Sequence, residues 1–454
     1  MTPHIPTATY RIQMREGVDF DRVTRLLPYL TDLGVSHLYL SPVFLASTGS
    51  THGYDIIDPT RIDPALGGRE GFDRLAQAAQ DRGLGIILDI VPNHTAFTLE
   101  NPWLLDVLKH GPSSRYARHF DIDWNAGPLV LPFLPEPFEK MLADGAFSAA
   151  DGMWRFGDVA VPLAEGGPAS DDLRALHDAQ HWRLVHYELE RDGITHRRFF
   201  NVTSLIGMRV EDRAVFDDTH SLIFDLVRSG RVQGLRVDHI DGLADPATYL
   251  DWLHEALPDT PVWVEKILVG HETLPPDWKT AGTTGYEAAR LIARALTDPS
   301  GIEKLDHAWR LATGIDSDFR DELRQAKLDV LDNELAAERR QLRDMAALAA
   351  QGSPLAEPGP ESLREAVTAL LVATPRYRTY VTDEARPEDR ELLRAIADDA
   401  AQGLRSRAVV DLLADLMTNP RTDAARAFVR RFQQVSGALL AKAQEDTAGF
   451  RWTR

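Results

Sequence analysis

Over the first 110 residues of the chain, the spacing of apolar and polar positions alternates between a pattern typical of strands and a pattern typical of helices. Short apolar runs, typical of strands, occupy residues 7–12, 36–40 and 85–91. Between them lie two helical patterns, FDRVTRLLPYLTDLG and REGFDRLAQAAQDRG, each ending at a glycine, which commonly follows a helix C-terminus. After residue 200 the alternation of helix and strand patterns returns, in the segments DDTHSLIFDLVRSG, VQGLRVDH, PATYLDWLHEAL and PVWVEKIL. Strands and helices at this spacing predict βα units on a parallel sheet.

Two stretches interrupt this alternation of strands and helices and predict separate subdomains. Residues 105–200 carry Pro, Gly, Trp and Phe in irregular order and predict a loop-rich insert. Residues 289–430 show helical periodicity over 323–348, 361–374 and 387–417 and predict a helical subdomain. The predicted sheet then comprises a first part over 1–104, a second part over 201–288, and the start of a remaining segment over 431–454.

Polar side chains cluster where the predicted strands end. Asp89, Asn93 and His94 end one strand, and Arg236, Asp238 and His239 end another. Glu265 and Lys266 end a third, and HLYLSP leads into a loop that contains Tyr54 and Asp58. In a parallel barrel the carboxyl ends of all strands meet at one mouth, where active sites lie. We therefore predict an α/β fold of the TIM (β/α)8-barrel type, with these side chains converging at its mouth.

Composition narrows the class of protein. The chain has 454 residues, 44% of them apolar and 26% charged, which is typical of a globular protein with more than one domain. A formal net charge of -19 disfavours nucleic acid and anionic membranes as partners. The chain has no cysteine, which excludes disulfide and thiolate chemistry. Without a signal peptide or an apolar run of membrane-spanning length, a cytoplasmic protein is expected.

The residue types at the strand ends point to sugar chemistry. Two carboxylates about 5 to 5.5 Å apart are the apparatus of a retaining glycosidase. Asp238 would attack the anomeric carbon, Glu265 would act as acid and base, and Arg236 would keep Asp238 ionised. His94 and His239 would hydrogen-bond sugar hydroxyls, and no metal or organic cofactor is required. A single such Asp is more often a helix N-cap, but the recurrence at successive strands favours a site.

These motifs resemble a known enzyme family. DIVPNH, GLRVDH and VEKI resemble the first three conserved regions of the α-amylase superfamily of glycoside hydrolases. Within it, GVSHLYLSPVFLASTGSTHGYDIIDPTRIDPALGG, RRFFNVTSLIGMRVEDRAVFDDTH, LPPDWKTAGTTGYE and RFQQVSGALLAKAQEDTA resemble the maltooligosyl trehalose synthases.

The resemblance implies an intramolecular transglycosylation that belongs to trehalose biosynthesis. It converts the reducing-end α-1,4 link of a maltooligosaccharide, or of another α-1,4-glucan, into an α,α-1,1 link. The catalytic pair would be Asp238 and Glu265. The substrate-binding set would be Tyr54, Asp58, Asp89, Asn93, His94, Arg236, His239, Lys266 and Tyr286.

Three departures from the family pattern leave alternatives open. Ile240 stands where the family usually has Pro, and LAKAQEDTAGFRWTR differs from the usual motif near the end. The family continues beyond the position of Arg454 through a strand with the motif HDTKR, whose Asp is its third essential carboxylate. We therefore expect a barrel that is incomplete at its C-terminus. The alternatives are an inactive or partner-dependent glucan-binding homologue, which would need a downstream chain, and an α-glucan hydrolase or glucanotransferase.

Overall fold

The computed structural model describes residues 5–167, 170–353 and 357–452. The chain forms two compact units. The first comprises residues 1–265 and 276–284, and the second comprises residues 266–275 and 285–454. The predicted boundaries of the individual segments stay predictions.

A six-stranded parallel sheet is the framework of the first unit. Its strands are β1 (Thr9–Ile12), β2 (His37–Leu40), β3 (Gly85–Ile90), β4 (Gly234–Val237), β5 (Val262–Val264) and β6 (Gly282–Thr283). Neighbours in the sheet are also neighbours in this series, and every pair is parallel. This order is that of a TIM-type barrel and not of a doubly wound sheet. The predicted fold class is therefore confirmed, with six strands of such a barrel within the described residues.

Four helices connect the first five strands: α1 (Phe20–Asp32), α2 (Gly68–Gln80), α3 (Arg213–Arg228) and α4 (Pro246–Ala256). Asp19 caps α1 by accepting a hydrogen bond from the backbone N–H of Arg22, and Phe20 packs edge-to-face on Phe72 of α2 at 5.5 Å. Both predicted glycines past the helix ends, Gly34 and Gly83, have positive φ angles, of 85° and 73°. Glycine adopts this left-handed conformation without the steric cost of a Cβ atom.

The two faces of the sheet differ in polarity because side chains alternate along each strand. One face carries the buried apolar residues Leu38, Leu40, Ile86, Leu88, Leu235 and Val264. The strand register places Arg11 opposite Tyr39 and Arg236 opposite Asp89, so these side chains lie on the other face. That polar face carries the residues of the candidate site.

Two segments predicted as irregular contain regular elements. In the predicted loop after β2, Phe44–Ala46 pairs antiparallel with Ile56–Ile62, so Asp58 lies in a strand. The insert has a parallel pair, Leu129–Leu134 with Trp182–His186, and three antiparallel strands, Ser148–Ala150, Met153–Phe156 and Val159–Pro162. Its helices are Pro102–His110, Phe138–Ala143, Leu173–Asp178 and Glu190–Gly193. His94–Ala96, Val202–Gly207 and Arg198–Phe199 form a further antiparallel sheet. Trp154 and Trp182 are fully buried and give the insert a core of its own.

The second unit is helical, as predicted. Its helices are α5 (Tyr286–Ala295), α6 (Ile302–Thr313), α7 (Phe319–Asp332), α8 (Ala336–Ala349), α9 (Pro360–Ala373), α10 (Pro387–Ala401), α11 (Ala408–Thr418) and α12 (Asp423–Leu440), followed by a π-helical segment, Ala441–Ala448, and a short helix, Gly449–Arg451. The single apolar seam predicted over 323–348 breaks after Asp332, because Leu335 has non-helical backbone angles between α7 and α8. Among the described residues, none of the helices combines the length and the apolar character needed to cross a membrane.

Candidate active site

One arginine gathers three carboxylates at the ends of adjacent strands. Arg236 lies on β4, Asp89 lies opposite it on β3, and Asp238 and Glu265 follow β4 and β5 directly. Nη1 of Arg236 donates hydrogen bonds to Asp89 Oδ1 and Asp238 Oδ1, both at 2.7 Å, and Nη2 lies 2.8 Å from Glu265 Oε1. The structure therefore brings these four predicted residues together. The separation of about 5 to 6 Å expected between the carboxyl oxygens of Asp238 and Glu265 stays a prediction.

Burial dominates the electrostatics of this cluster. Asp89 is fully buried and Asp238 is 6% exposed. Burial raises the pKa of Asp89, and it raises the pKa of Asp238 well above its usual range, with repulsion from Glu265 as the next cause. Attraction to Arg236 lowers both pKa values but does not offset burial. Arg236 therefore favours the ionised form of Asp238, as expected, and burial opposes it, because one guanidinium faces three carboxylates away from water; an ionised Asp238 at neutral pH stays a prediction.

Two tyrosines and a second arginine hold the far side of Asp89. The hydroxyls of Tyr54 and Tyr39 donate to Asp89 Oδ2 at 2.7 Å and 3.1 Å, and Arg11 donates to the Tyr54 hydroxyl at 2.9 Å. Burial raises the pKa of both phenols, followed by the influence of Asp89, so that both stay protonated donors. The sequence reasoning missed Tyr39 and Arg11. The signal for Tyr39 was its place between Leu38 and Leu40, which turns it to the opposite face of the strand.

Asn93 is anchored by an arginine that the sequence reasoning also missed. Arg197, near the end of the insert, donates from Nη1 to Asn93 Oδ1 at 2.8 Å and from Nη2 to the Asn93 carbonyl at 3.2 Å. Its Nε donates to Asp121 at 2.8 Å. No local pattern links residue 197 to residue 93, because the contact depends on how the insert returns to the sheet. Arg197 therefore couples the insert to the end of β3.

His94 is buried beside this anchor. Its ring packs on Phe199 with a centroid distance of 4.2 Å. Its Nε2 atom has no hydrogen-bond partner within the described part of the chain. Burial lowers the pKa of His94 well below its usual range, so the imidazole is neutral. A neutral imidazole with one uncommitted nitrogen can hydrogen-bond a hydroxyl group of a ligand.

His239 has a strained backbone and contacts Glu265. Its φ angle is 47°, in the left-handed region that a residue with a Cβ atom rarely adopts. In this conformation the His239 backbone N–H donates to Glu265 Oε2 at 2.9 Å. Its ring lies edge-on to Phe199 and Phe200, at centroid distances of 5.0 Å and 4.8 Å. A Cβ atom on Gly242 would lie 2.2 Å from the imidazole, so this position admits only glycine without a shift.

Three predicted site residues remain, Asp58, Lys266 and Tyr286. Asp58 accepts hydrogen bonds from the backbone and the hydroxyl of Thr60, at 2.9 Å and 2.6 Å. In the second unit, Lys266 is buried and pairs with Glu272 at 3.1 Å, and its ammonium lies 5.3 Å from the ring centre of Tyr377. Tyr286 begins α5 and is 46% exposed. Their roles in substrate binding stay predictions.

The chain is similar to a known domain family and to known proteins along nearly its whole length. The α-amylase catalytic-domain model matches residues 11–249. A putative maltooligosyl trehalose synthase of Mycobacterium tuberculosis (strain H37Rv) is 41% identical over 98% of this chain and 57% of its own length. The structure of maltooligosyltrehalose synthase from Arthrobacter ramosus superposes with a TM-score of 0.89 at 36% identity, over 99% of this chain and 57% of that one.

The matches cover nearly all of this chain but only part of each relative. The identity is spread over nearly the whole chain and is not confined to the catalytic domain. The chain spans 57% of the length of the relatives it matches. On the family-model match over residues 11–249, the chain belongs to the α-amylase family, and over nearly its whole length it is similar to maltooligosyl trehalose synthases.

Proposed function

We propose that this chain carries the chemistry of an intramolecular transglycosylation on maltooligosaccharides. The reaction converts the reducing-end α-1,4 link into an α,α-1,1 link and so gives a maltooligosyl trehalose. The observation that supports it most directly is the Arg236 guanidinium shared by Asp89, Asp238 and Glu265. In that arrangement one guanidinium would hold the proposed nucleophile, Asp238, and the proposed acid/base, Glu265, at the mouth of the sheet where TIM-type enzymes bind substrate.

In the first step a carboxylate oxygen of Asp238 attacks the anomeric carbon next to the terminal glucose. The bond from this carbon to O4 of the terminal glucose breaks, and Glu265 gives its proton to O4. The hydrogen bond from the His239 backbone fixes the orientation of Glu265.

In the second step the released glucose turns and presents its own anomeric hydroxyl. That oxygen attacks the glycosyl-enzyme carbon, the bond to Asp238 breaks, and Glu265 takes the hydroxyl proton. No atom is gained or lost overall, so the reaction is an isomerisation. Water that enters between the two steps would hydrolyse the intermediate instead, which is why the pocket must be closed. An α-glucan hydrolase or glucanotransferase would use the same pair of carboxylates with a different acceptor.

The proposal also includes a set of substrate-binding residues and a protein partner. Tyr54, Asn93, His94 and His239 would surround the sugar next to the cleaved bond, with Asp58, Lys266 and Tyr286 as further candidates. A polypeptide that supplies the HDTKR strand of the family, in the same chain or a separate one, is the proposed protein partner. A cytoplasmic location is proposed with it, and cell fractionation tests it.

Product analysis with maltopentaose tests the proposed reaction. We expect loss of reducing ends without release of glucose, and no reaction from Asp238→Asn, which keeps the size of the side chain. If the chain alone is slow, the same assay is run with the remainder of the Arthrobacter ramosus enzyme fused behind Arg454. Calorimetric titration with maltopentaose should show binding to Asp238→Asn. Release of glucose and shorter oligosaccharides in place of a non-reducing product would instead favour the hydrolase.

A further inference from the structure

Two helices of the second unit are largely exposed, although Trp309 of the second one contacts the Trp452 ring at a centroid distance of 4.7 Å. Neither α5 nor α6 has a buried residue, although both lie wholly within the described residues. Every residue from 288 to 300 is exposed. Helix α5 has only 10 residues, and isolated helices shorter than about 12–15 residues are marginal in water. A helix of this length therefore needs a surface to pack against.

The side chains that these helices leave in solvent are large and apolar. They are Leu291 (59% exposed), Ile292 (61%), Leu296 (83%), Ile302 (51%), Leu305 (63%) and Leu311 (74%). Ile292 and Leu296 are four residues apart and Ile302 and Leu305 are three apart, so each pair lies on one side of its helix. Helices of folded proteins normally turn such a side to the core. Exposed large apolar side chains that are concentrated in one segment mark an interaction surface.

We propose that this apolar segment, residues 291–311, is the docking surface for the polypeptide that corresponds to the part of the relatives outside the match. Those relatives have a further stretch of chain, since this chain covers 57% of each. Helix α5 directly follows β6, the strand at the edge of the sheet where further barrel strands would add. This inference builds on the partner named in the proposed function, but it concerns binding and not catalysis.

A second copy of the chain is the competing occupant. Each copy carries a formal net charge of -19, and two such surfaces repel each other in solution. Self-association would also leave the edge of the parallel sheet without a strand. The remainder of the relatives is therefore the favoured occupant, and the oligomeric state of the chain alone becomes an outcome of the test.

Cysteine labelling provides the test, because the chain has no cysteine of its own. Leu296→Cys reports on the apolar segment, and Leu348→Cys, at a position 57% exposed on α8, is the matched control. Each is reacted with a maleimide in the chain alone and with the remainder of the Arthrobacter ramosus enzyme fused behind Arg454. We expect labelling of Leu296→Cys to slow at least about tenfold in the fusion, with the control unchanged. Equal rates for Leu296→Cys in both proteins would overturn the proposal.

Charge substitution and the oligomeric state complete the experiment. The variant Ile292→Glu/Leu296→Glu should weaken binding of the separately expressed remainder at least about tenfold, whereas Leu348→Glu should not. Light scattering that shows a dimer of the chain alone, dissolved by the same double variant, would assign the surface to a second copy and overturn the proposal. Adding Asp238→Asn to the labelled fusion separates the two questions, because protection of Leu296→Cys does not require catalysis.

Discussion

At the scale of single residues, the site depends on Arg236 serving three carboxylates at once. Its hydrogen bonds to Asp89 and Asp238 and its ion pair with Glu265 lie between 2.7 Å and 2.8 Å. Removing one partner of a buried charged network leaves the others unpaired, which costs more than the net value of the interaction itself. The same guanidinium fixes the positions of both proposed catalytic side chains, so stability and activity should depend on it together.

Arg236→Met should destabilise the first unit as well as abolish activity. Methionine fills much of the volume but leaves three carboxylates without a cation, so we expect the free energy of unfolding to fall by about 3–5 kcal/mol. Urea titration at pH 7 measures it. Arg74→Met is the control, because Arg74 and Asp21 form an exposed pair worth less than about 1 kcal/mol. Similar losses in the two variants would contradict a special role for the buried cluster.

Gly242→Ala tests the close approach beside His239. The added Cβ would lie 2.2 Å from the His239 ring and 2.6 Å from Asn93 Oδ1, so one of them must move. We expect a loss of about 1–3 kcal/mol in stability from overpacking. A fall in kcat should accompany it, because the His239 backbone holds Glu265.

Gly193→Ala is the matched control for that substitution. No atom lies within 4 Å of the added Cβ at Gly193, which is the last residue of a short helix. Its stability should stay the same or rise slightly, since alanine restricts the unfolded chain more than glycine does. The role assigned to Gly242 fails if both alanine variants unfold at the same urea concentration.

At the scale of elements, helices α3 and α4 are joined by a buried histidine. His220 on α3 lies 2.9 Å from the Phe216 carbonyl and 2.8 Å from the Tyr249 hydroxyl of α4. Burial lowers the pKa of His220 to about 4, partly offset by the bond to the Phe216 carbonyl. The folded unit therefore holds this side chain neutral at a pH where the unfolded chain binds a proton.

His220→Gln should flatten the dependence of stability on pH. Because the folded-state pKa of His220 lies below the unfolded value, stability falls as the pH drops from about 6.5 to about 4, by up to about 3 kcal/mol. Urea titrations at pH 7, 6, 5 and 4 measure the slope, which should be smaller in the variant. His254→Gln, at an exposed position on α4, should keep the wild-type slope. An unchanged slope in His220→Gln would rule out this link.

At the scale of the whole molecule, the proposed activity depends on a third carboxylate, which the resemblance to the family implies. The motif HDTKR, which carries that carboxylate by the resemblance, does not occur in the 454 residues, and these span 57% of the length of the two relatives compared. A charged group that binds the sugar in the transition state contributes about 3 kcal/mol, or roughly a hundredfold in rate. Without that carboxylate, and with water reaching a sheet of the six described strands, we expect a lower yield of the isomerised product.

The chain alone should therefore isomerise maltopentaose at least about a hundredfold more slowly than the fusion with the remainder of the Arthrobacter ramosus enzyme. Initial rates of loss of reducing ends measure the difference. The fusion with Asp238→Asn is the control for background activity. Equal rates for the chain and its fusion would show that another carboxylate serves in place of the third one.

The sequence by itself predicted the strands and helices of the parallel sheet and the polar side chains at the strand ends. The alternation of strand and helix patterns predicted the parallel sheet, because apolar periodicity is a local property. The carboxylates Asp89, Asp238 and Glu265 were predicted together because parallel strands bring their carboxyl ends to one mouth. Conversely, the break between α7 and α8 was missed, since an apolar seam with helical spacing carries no sign of a turn whose backbone is held by tertiary contacts.

Only the tertiary structure decided which side chains complete the site and what their charges do. The register of β1, β2 and β3 brings Tyr39 to Asp89, and the return of the insert brings Arg197 to Asn93, 104 residues away in sequence. The left-handed backbone of His239 is held by packing and not by local preference. Burial, which a sequence does not specify, raises the pKa of Asp238 against the pull of Arg236. Contacts between distant segments and the exclusion of water arise only when the chain is folded, so the sequence predicted which residues matter and the fold decided how they act.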